Sequence, residues 1–257
     1  MATPSDAVPF KAMILGAGRG ERMRPLSDTL PKPLLRAGGK ALVEYHLENL
    51  ARAGFIDIVI NHAHLGQMIE AALGSGGRYG LKIRYSHEPV ALETAGGIAQ
   101  ALSILGDGFR NNEKDTPFLT VNADVYCEIE FSALLPVLQS MRANPAGDLA
   151  HLVLVNNPPH HPEGDFSLDA GRVLLSAKGK KNLTYSGIGV YRPQLFKHVA
   201  AGSTAKLAPL LREAIAEEKI CGEHFQGVWV DVGTPERLRL LDAQLVGSVP
   251  RTRVELR

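Results

Sequence analysis

Cysteine is scarce: the 257 residues hold only Cys127 and Cys221. Two cysteines cannot build a disulfide framework, and the usage fits a reducing compartment, so a cytoplasmic protein is expected. No apolar run approaches the roughly 20 residues needed to cross a bilayer. Residues 1–9 are polar and lack the apolar core of a secretory signal; they are expected to form a disordered extension. Neither charge sign dominates, since 28 Lys and Arg face 27 Asp and Glu. That balance gives no broad field for nucleic acid or an acidic membrane, and neither is expected as a partner. No internal repeat and no low-complexity segment occurs. Hydrophobic residues still make up 45% of the chain, enough to bury the core of one large α/β domain or two small ones.

What is present is concentrated near the start. Residues 10–35 read F-K-A-M-I-L-G-A-G-R-G-E-R-M-R-P-L-S-D-T-L-P-K-P-L-L. The apolar run at 10–15 fits a buried strand. Gly16, Gly18 and Gly20 then alternate with Ala17 and Arg19. Such a turn aims successive backbone N–H groups at one point and suits an anion. Arg19, Arg22 and Arg24 add positive charge. Lys32 lies between Pro31 and Pro33, which predicts a stiff, extended segment. The loop is suited to a polyphosphate. It is not the dinucleotide fingerprint, because position 21 is Glu21 and Pro25, Pro31 and Pro33 forbid a long helix there. It is not a P-loop either: Leu34 stands where the first glycine belongs before Gly39-Lys40, and Ala41 follows. The downstream partners of a kinase glycine loop are missing as well.

Helices are expected at 41–53, at 65–73 and after Thr94 as a cap, with strands at 55–61, 81–86 and 117–121. This alternation predicts a mostly parallel sheet flanked by helices, with ligands at the rim formed by the strand C-termini. The second half reads as more antiparallel. Strands are expected at 148–156 and 184–191, a hairpin around Asp169-Ala170-Gly171, and a helix at 206–218. Residues 228–235, V-W-V-D-V-G-T-P, end a strand on Asp231 and start a last helix, with Thr234 as cap and Pro235 first. Arg251, Arg253 and Arg257 fall in a tail, residues 248–257, read as solvated.

Asp124 also follows an apolar strand, in V-N-A-D. Alone, each aspartate reads as a turn or cap residue. Together with the glycine loop, Asp124 and Asp231 point to a shared Mg²⁺, which takes one or two carboxylates plus substrate phosphates. No His or Cys stands in a nucleophile motif. His160 and His161, beside prolines, read as solvated or turn-forming, and His62 and His64 as a strand end.

The run G-A-G-R-G-E-R-M-R-P-L-S-D-T-L-P-K-P-L resembles the signature loop of the sugar-1-phosphate nucleotidylyltransferases. The resemblance implies their fold, a Rossmann-like α/β domain of the nucleotide-diphospho-sugar transferase type. It implies a single domain over 10–247, with a nucleotide-binding half at 10–125 and a sugar-binding half at 126–247. Gly16, Ala17, Gly18, Arg19, Gly20 and Glu21 would wrap the triphosphate, and Lys32 with Arg22 would hold its phosphates. The Gly16 position often carries Ala in relatives, a change expected to be harmless. N-A-D and W-V-D-V-G-T-P resemble the metal segments, so Lys32, Arg22 and Asp124 would serve catalysis and Asp124 with Asp231 would hold Mg²⁺. E-P-V-A-L-E-T-A-G-G at 88–97 resembles the base-side loop, L-G-T-A-G in some members. There Gly96 and Gly97 would admit the ligand, and Glu88 would accept from guanine or from uracil. The segments L-V-N-N-P-P-H-H-P-E-G-D-F-S-L, I-N-H-A-H-L-G and Y-S-G-I-G are similar to the uridylyltransferases of bacterial cell-wall recycling. That narrower likeness implies UTP and N-acetylmuramate 1-phosphate, with Asn122, Gly164, Asp165 and Ser186 near the sugar. Guanylyl transfer to mannose 1-phosphate is the alternative. A regulatory subunit with a dead site ranks lower, because Lys32, Asp124 and Asp231 are all in place, and an oxidoreductase lower still. No hexapeptide-repeat region follows, so a β-helix domain is not expected. Monomer and dimer both stay open.

Overall fold

The computed structural model describes residues 10–106, 115–176, 179 and 181–248. The expected extension at 1–9 and the arginine tail lie outside the described residues. The first stretch holds β1 (Ala12–Leu15), α1 (Leu26–Thr29), β2 (Arg36–Ala37), β3 (Lys40–Ala41), α2 (Leu42–Arg52), β4 (Asp57–His62) and α3 (Gly66–Leu73). The middle holds β5 (Lys82–His87), α4 (Glu93–Leu105), β6 (Phe118–Asn122), β7 (Val125–Cys127), α5 (Leu135–Ala143) and β8 (Ala150–Val155). The last stretch holds β9 (Ser167–Asp169), β10 (Arg172–Leu174), β11 (Thr184–Tyr191), α6 (Leu207–Ala216), β12 (Ile220–Phe225), β13 (Trp229–Asp231) and α7 (Pro235–Ser248).

Nine strands form one sheet in the order β5-β4-β1-β6-β11-β8-β12-β10-β9. β5, β4, β1 and β6 run parallel. β11 opposes both β6 and β8, while β12 returns parallel to β8. The parallel first half follows from strands that alternate with helices, and it matches the expectation. Because β1 has β4 on one side and β6 on the other, the chain departs from it in both directions. Such a switch point leaves a crevice at the strand C-termini.

β1 is apolar at every position because it is covered twice. Ala12 and Ile14 pack in one core with Val43, Leu47 and Leu50 of α2 and Leu138 of α5. Met13 faces the opposite core, with Ile98 of α4 and Leu207 and Leu211 of α6. A third, smaller cluster joins Met23, Leu35, Tyr126, Val232, Leu238 and Leu241. Met23 belongs to the glycine-rich loop and is fully buried. Burying such a side chain is worth about 1.5–3 kcal/mol, so this cluster fastens the loop between β7 and α7.

Some local readings change. α4 begins at Glu93 with Leu92 as its cap residue, not at Thr94. Leu92 is held on both sides: its N–H donates to the Glu88 carboxylate, and its carbonyl accepts from Ala205. Lys32 opens a tight 3₁₀ turn, Lys32–Leu34, and is not extended. That turn is closed by the N–H groups of Leu34 and Leu35, so the missing N–H of Pro33 costs nothing. α5 carries Pro136 in its first turn, where proline is tolerated.

One buried histidine ties the fold to pH. His46 on α2 bonds through Nε2 to the Val125 carbonyl at 2.9 Å. Burial pushes its pKa down to about 4 from 6.5. The folded state therefore keeps it neutral while the unfolded chain protonates it. Unfolded chains bind more protons between those two values, so stability falls as pH drops from about 6.5 to about 4. The expected slope reaches ~1.4 kcal/mol per pH unit. Urea titrations across this range should show a flatter profile for His46→Gln than for the parent; identical slopes would assign the proton uptake to another group.

Candidate active site

The loop after β1 forms one wall of a cleft of about 320 Å³. Gly16, Ala17, Gly18, Arg19 and Lys32 line this wall. Glu88, Glu93, Thr94, Asn122 and Asp124 line the cleft as well. Gly16 donates its N–H to Asn61 Oδ1 at 2.9 Å. A Cβ at Gly16 would lie 3.0 Å from the Asn61 carbonyl, so alanine there is a tight fit and not the neutral change expected. A Cβ at Gly18 would meet nothing within 4 Å; that face opens into the cleft. Gly20 takes φ of 67°, which turns the chain into the 3₁₀ turn Glu21–Met23. Glu21 lines neither this cleft nor the next.

A second cleft of about 380 Å³ adjoins the first and shares Asn122 and Asp124 with it. Arg22, His160, Tyr185, Ser186 and Asp231 line it. Antiparallel pairing of β7 and β13 sets Asp231 opposite Val125. The next residue, Val232, donates its N–H to the Asp124 carbonyl at 2.9 Å. Two carboxylates 107 residues apart in sequence thus enter one cleft from neighbouring backbones. Each is neutralised by a cation of the chain. Lys32 Nζ lies 2.6 Å from Asp124 Oδ2. Arg237 Nη1 donates to Asp231 Oδ2 at 2.7 Å, and His160 Nε2 sits 3.1 Å from the same oxygen. Thr234 caps α7 as expected, accepting from the Arg237 N–H at 3.3 Å. The donor set is two carboxylate groups and no soft ligand. This fits a hard cation whose remaining ligands are phosphate oxygens and water. Among the described residues, no cluster of three His, Cys, Asp or Glu is found.

Glu88 is buried, and both of its oxygens are used. Oε1 accepts from Asn61 Nδ2 at 2.6 Å and Oε2 from the Leu92 N–H at 2.9 Å. With the Gly16–Asn61 bond, this makes a continuous link from the glycine-rich loop to the start of α4. Gly96 and Gly97 line neither cleft, against the expectation that they admit ligand. A Cβ at Gly96 would meet the Ser203 carbonyl at 2.2 Å, and one at Gly97 would meet Glu88 Oε1 at 2.5 Å and Asn61 Nδ2 at 2.6 Å. Their missing side chains make room for packing.

On the far side, Gly164 and Asp165 do not line the clefts. Asp165 Oδ2 accepts from the Tyr185 N–H at 2.8 Å and fixes the preceding loop to β11. Ser186 lines the second cleft, but its hydroxyl donates to the Val153 carbonyl at 2.7 Å. His160 sits in a turn, and its ring faces Asp231; sequence gave no sign of that partner or of Arg237. Burial pushes the thiols of Cys127 and Cys221 up to about 12, so neither is a nucleophile at neutral pH.

The profile of the nucleotidyl transferase family matches residues 11–245. The chain belongs to this family. It is 53% identical over 232 residues to the N-acetylmuramate alpha-1-phosphate uridylyltransferase of Neisseria meningitidis serogroup B, covering 90% of this chain and 96% of that one. A protein of the same description from Caulobacter vibrioides is 32% identical over 246 residues, covering 92% and 97% of the two chains. The fold is similar to the structure of a glucose-1-phosphate thymidylyltransferase from Bacillus anthracis, with a TM-score of 0.78, 17% identity, and coverage of 95% and 98%. The mostly parallel sheet flanked by helices is thus the fold of nucleotidyltransferases. Among the described residues, no helix is long and apolar enough to cross a membrane.

The link through Asn61 and Glu88 can be tested from Gly97. Gly97→Ala should lower stability by about 1–3 kcal/mol through overpacking. Gly18→Ala, with open space around it, should stay within ~0.5 kcal/mol of the parent. Thermal melts of the two variants check this; equal melting temperatures would mean that Gly97 is not closely packed in solution.

Proposed function

We propose that this nucleotidyl transferase moves the uridylyl group of UTP onto N-acetylmuramate 1-phosphate, giving UDP-N-acetylmuramate and pyrophosphate. The observation that carries the reaction type is the pair of clefts that meet at Asn122 and Asp124. The likeness to the Neisseria uridylyltransferase, 53% identical across nearly all of both chains, carries the choice of substrates. In this reading the first cleft takes the nucleotide. Gly16 to Gly20 cradle its phosphates with Lys32, while Arg22, on the lining of the second cleft and not the first, would reach the phosphates from the side of the shared Asp124. The second cleft takes the sugar phosphate beside Asn122, with the loop of Gly164 and Asp165 and the strand of Ser186 behind it.

A phosphate oxygen of the sugar 1-phosphate forms the new bond to the α-phosphorus. The bond from that phosphorus to the β-phosphate oxygen breaks in line, and pyrophosphate leaves with the electron pair. The nucleophile is already ionised near neutral pH, so no base is needed, in keeping with a site that has no catalytic His or Cys. Positioning and charge neutralisation supply the acceleration. Asp124 and Asp231 would hold Mg²⁺, which supplies charge to offset the repulsion between the two phosphates. Lys32 moves from Asp124 to the incoming phosphates, and Arg237 with His160 releases Asp231. The reaction belongs to the recovery of cell-wall sugar in the cytoplasm, where UTP is abundant and the two free cysteines stay reduced.

The direct test is pyrophosphate release with Mg²⁺, crossing UTP and GTP with the 1-phosphates of N-acetylmuramate, glucose and mannose. Activity should be confined to UTP with N-acetylmuramate 1-phosphate. A preference for GTP with mannose 1-phosphate would keep the chemistry and replace the substrates. Asp124→Ala should lower kcat by roughly 10²-fold or more while the protein stays folded. Lys32→Ala should raise the KM for the triphosphate more than that for the sugar phosphate; equal effects on both would remove Lys32 from the nucleotide side.

A further inference from the structure

One residue of the first cleft holds a backbone conformation that its own side chain disfavours. Glu93 opens α4 with φ of 60°. In this left-handed region, Cβ crowds the neighbouring carbonyl, and glycine is the relaxed choice. Strain of this kind gathers where a side chain must be aimed at a ligand. Here the strained residue lines a cavity: Glu93 borders the first cleft next to Thr94.

The carboxylates of that cleft are Glu88, Glu93 and Asp124. Glu88 is buried with both oxygens engaged, and Asp124 is paired with Lys32. Glu93 is exposed and, among the described residues, has no hydrogen-bond or ion-pair partner. It is the one carboxylate of this cleft left over for a ligand. A carboxylate is acceptor-only and is repelled by phosphate, so its partner on a nucleotide must be a donor of the base or the ribose. Uracil offers a single N–H flanked by two carbonyls, and the second carboxylate oxygen would meet one of them. The ribose cis-diol offers two adjacent hydroxyl donors, which match two carboxylate oxygens in charge-assisted hydrogen bonds.

We propose that Glu93 grips the 2′,3′-diol of the bound nucleotide and is the residue that selects ribonucleotides over 2′-deoxynucleotides. The proposal rests on the first cleft being the nucleotide cleft. Its test is equilibrium binding of UTP, 2′-deoxy-UTP, GTP and 2′-deoxy-GTP to the parent, Glu93→Gln and Glu93→Gly. The parent should bind the ribonucleotide on the order of 10- to 100-fold more tightly than its deoxy partner, the range for a hydrogen bond to a charged group. Glu93→Gln should lose most of that ratio. Glu93→Gly should bring it close to one while raising the melting temperature, since the left-handed backbone is relieved. A ribo-to-deoxy ratio that is unchanged in folded Glu93→Gly overturns the proposal, as does a loss of affinity equal for both sugars. The ratio within each base reports on Glu93, whereas UTP against GTP reports on the choice of nucleotide, so the two readings fail separately.

Discussion

The site depends on a pairing of two three-residue strands. β7 and β13 form a sheet of their own, separate from the nine-stranded one. Their register sets Asp231 across from Val125, and one more bond ties Val232 to Asp124. Without it, the two aspartates would belong to distant parts of the chain. The pair is short, and its hold comes from what surrounds it. Tyr126 and Val232 are buried in the third core, together with Met23 of the glycine-rich loop and Leu238 and Leu241 of α7. His46 fastens the Val125 carbonyl from α2. Three elements that carry charge to the site therefore share one small apolar anchor.

The central sheet adds a second level of order. β1 delivers the loop at the rim between β4 and β6, and each neighbour contributes there. Asn61 ends the shared run of β1 and β4, and Asn122 ends β6. Asn61 is oriented by its two bonds, one to Gly16 and one to Glu88. The amide can satisfy both only with its oxygen toward the loop and its nitrogen toward the acid. A donor–acceptor chain of this kind fixes two loops relative to one another with few atoms.

Much of this was legible in the chain because strand ends and glycine turns are local signals. The strand at 184–191, the hairpin around Asp169-Ala170-Gly171 and the Thr234-Pro235 helix start all stand where local chemistry put them. Asp124 and Asp231 could be paired because each ends an apolar strand. What escaped was tertiary. β12, I-C-G-E-H-F, mixes polar residues with Gly222 and takes its strand form from alignment with β8. Glu88 looked like a free reader of the base, but its two partners come from Asn61 and from the backbone four residues on. Gly96 and Gly97 carried the mark of ligand approach, whereas the close approach is by Ser203 and by Glu88 itself. A glycine shows that something is near; it does not say what.

On the proposed reading, the ion pair between Lys32 and Asp124 makes filling the cleft an exchange reaction. Lys32 is almost wholly buried, so its charge cannot be left alone, and Asp124 at 2.6 Å answers it. A triphosphate that draws the lysine away leaves the aspartate needing a new positive partner. A cation arriving at the aspartate frees the lysine in turn. Each arrival by itself leaves one member of the old couple without its counterion, while the two together give both a new partner. Anion and cation would therefore favour each other's binding, each supplying the counterion that the other displaces.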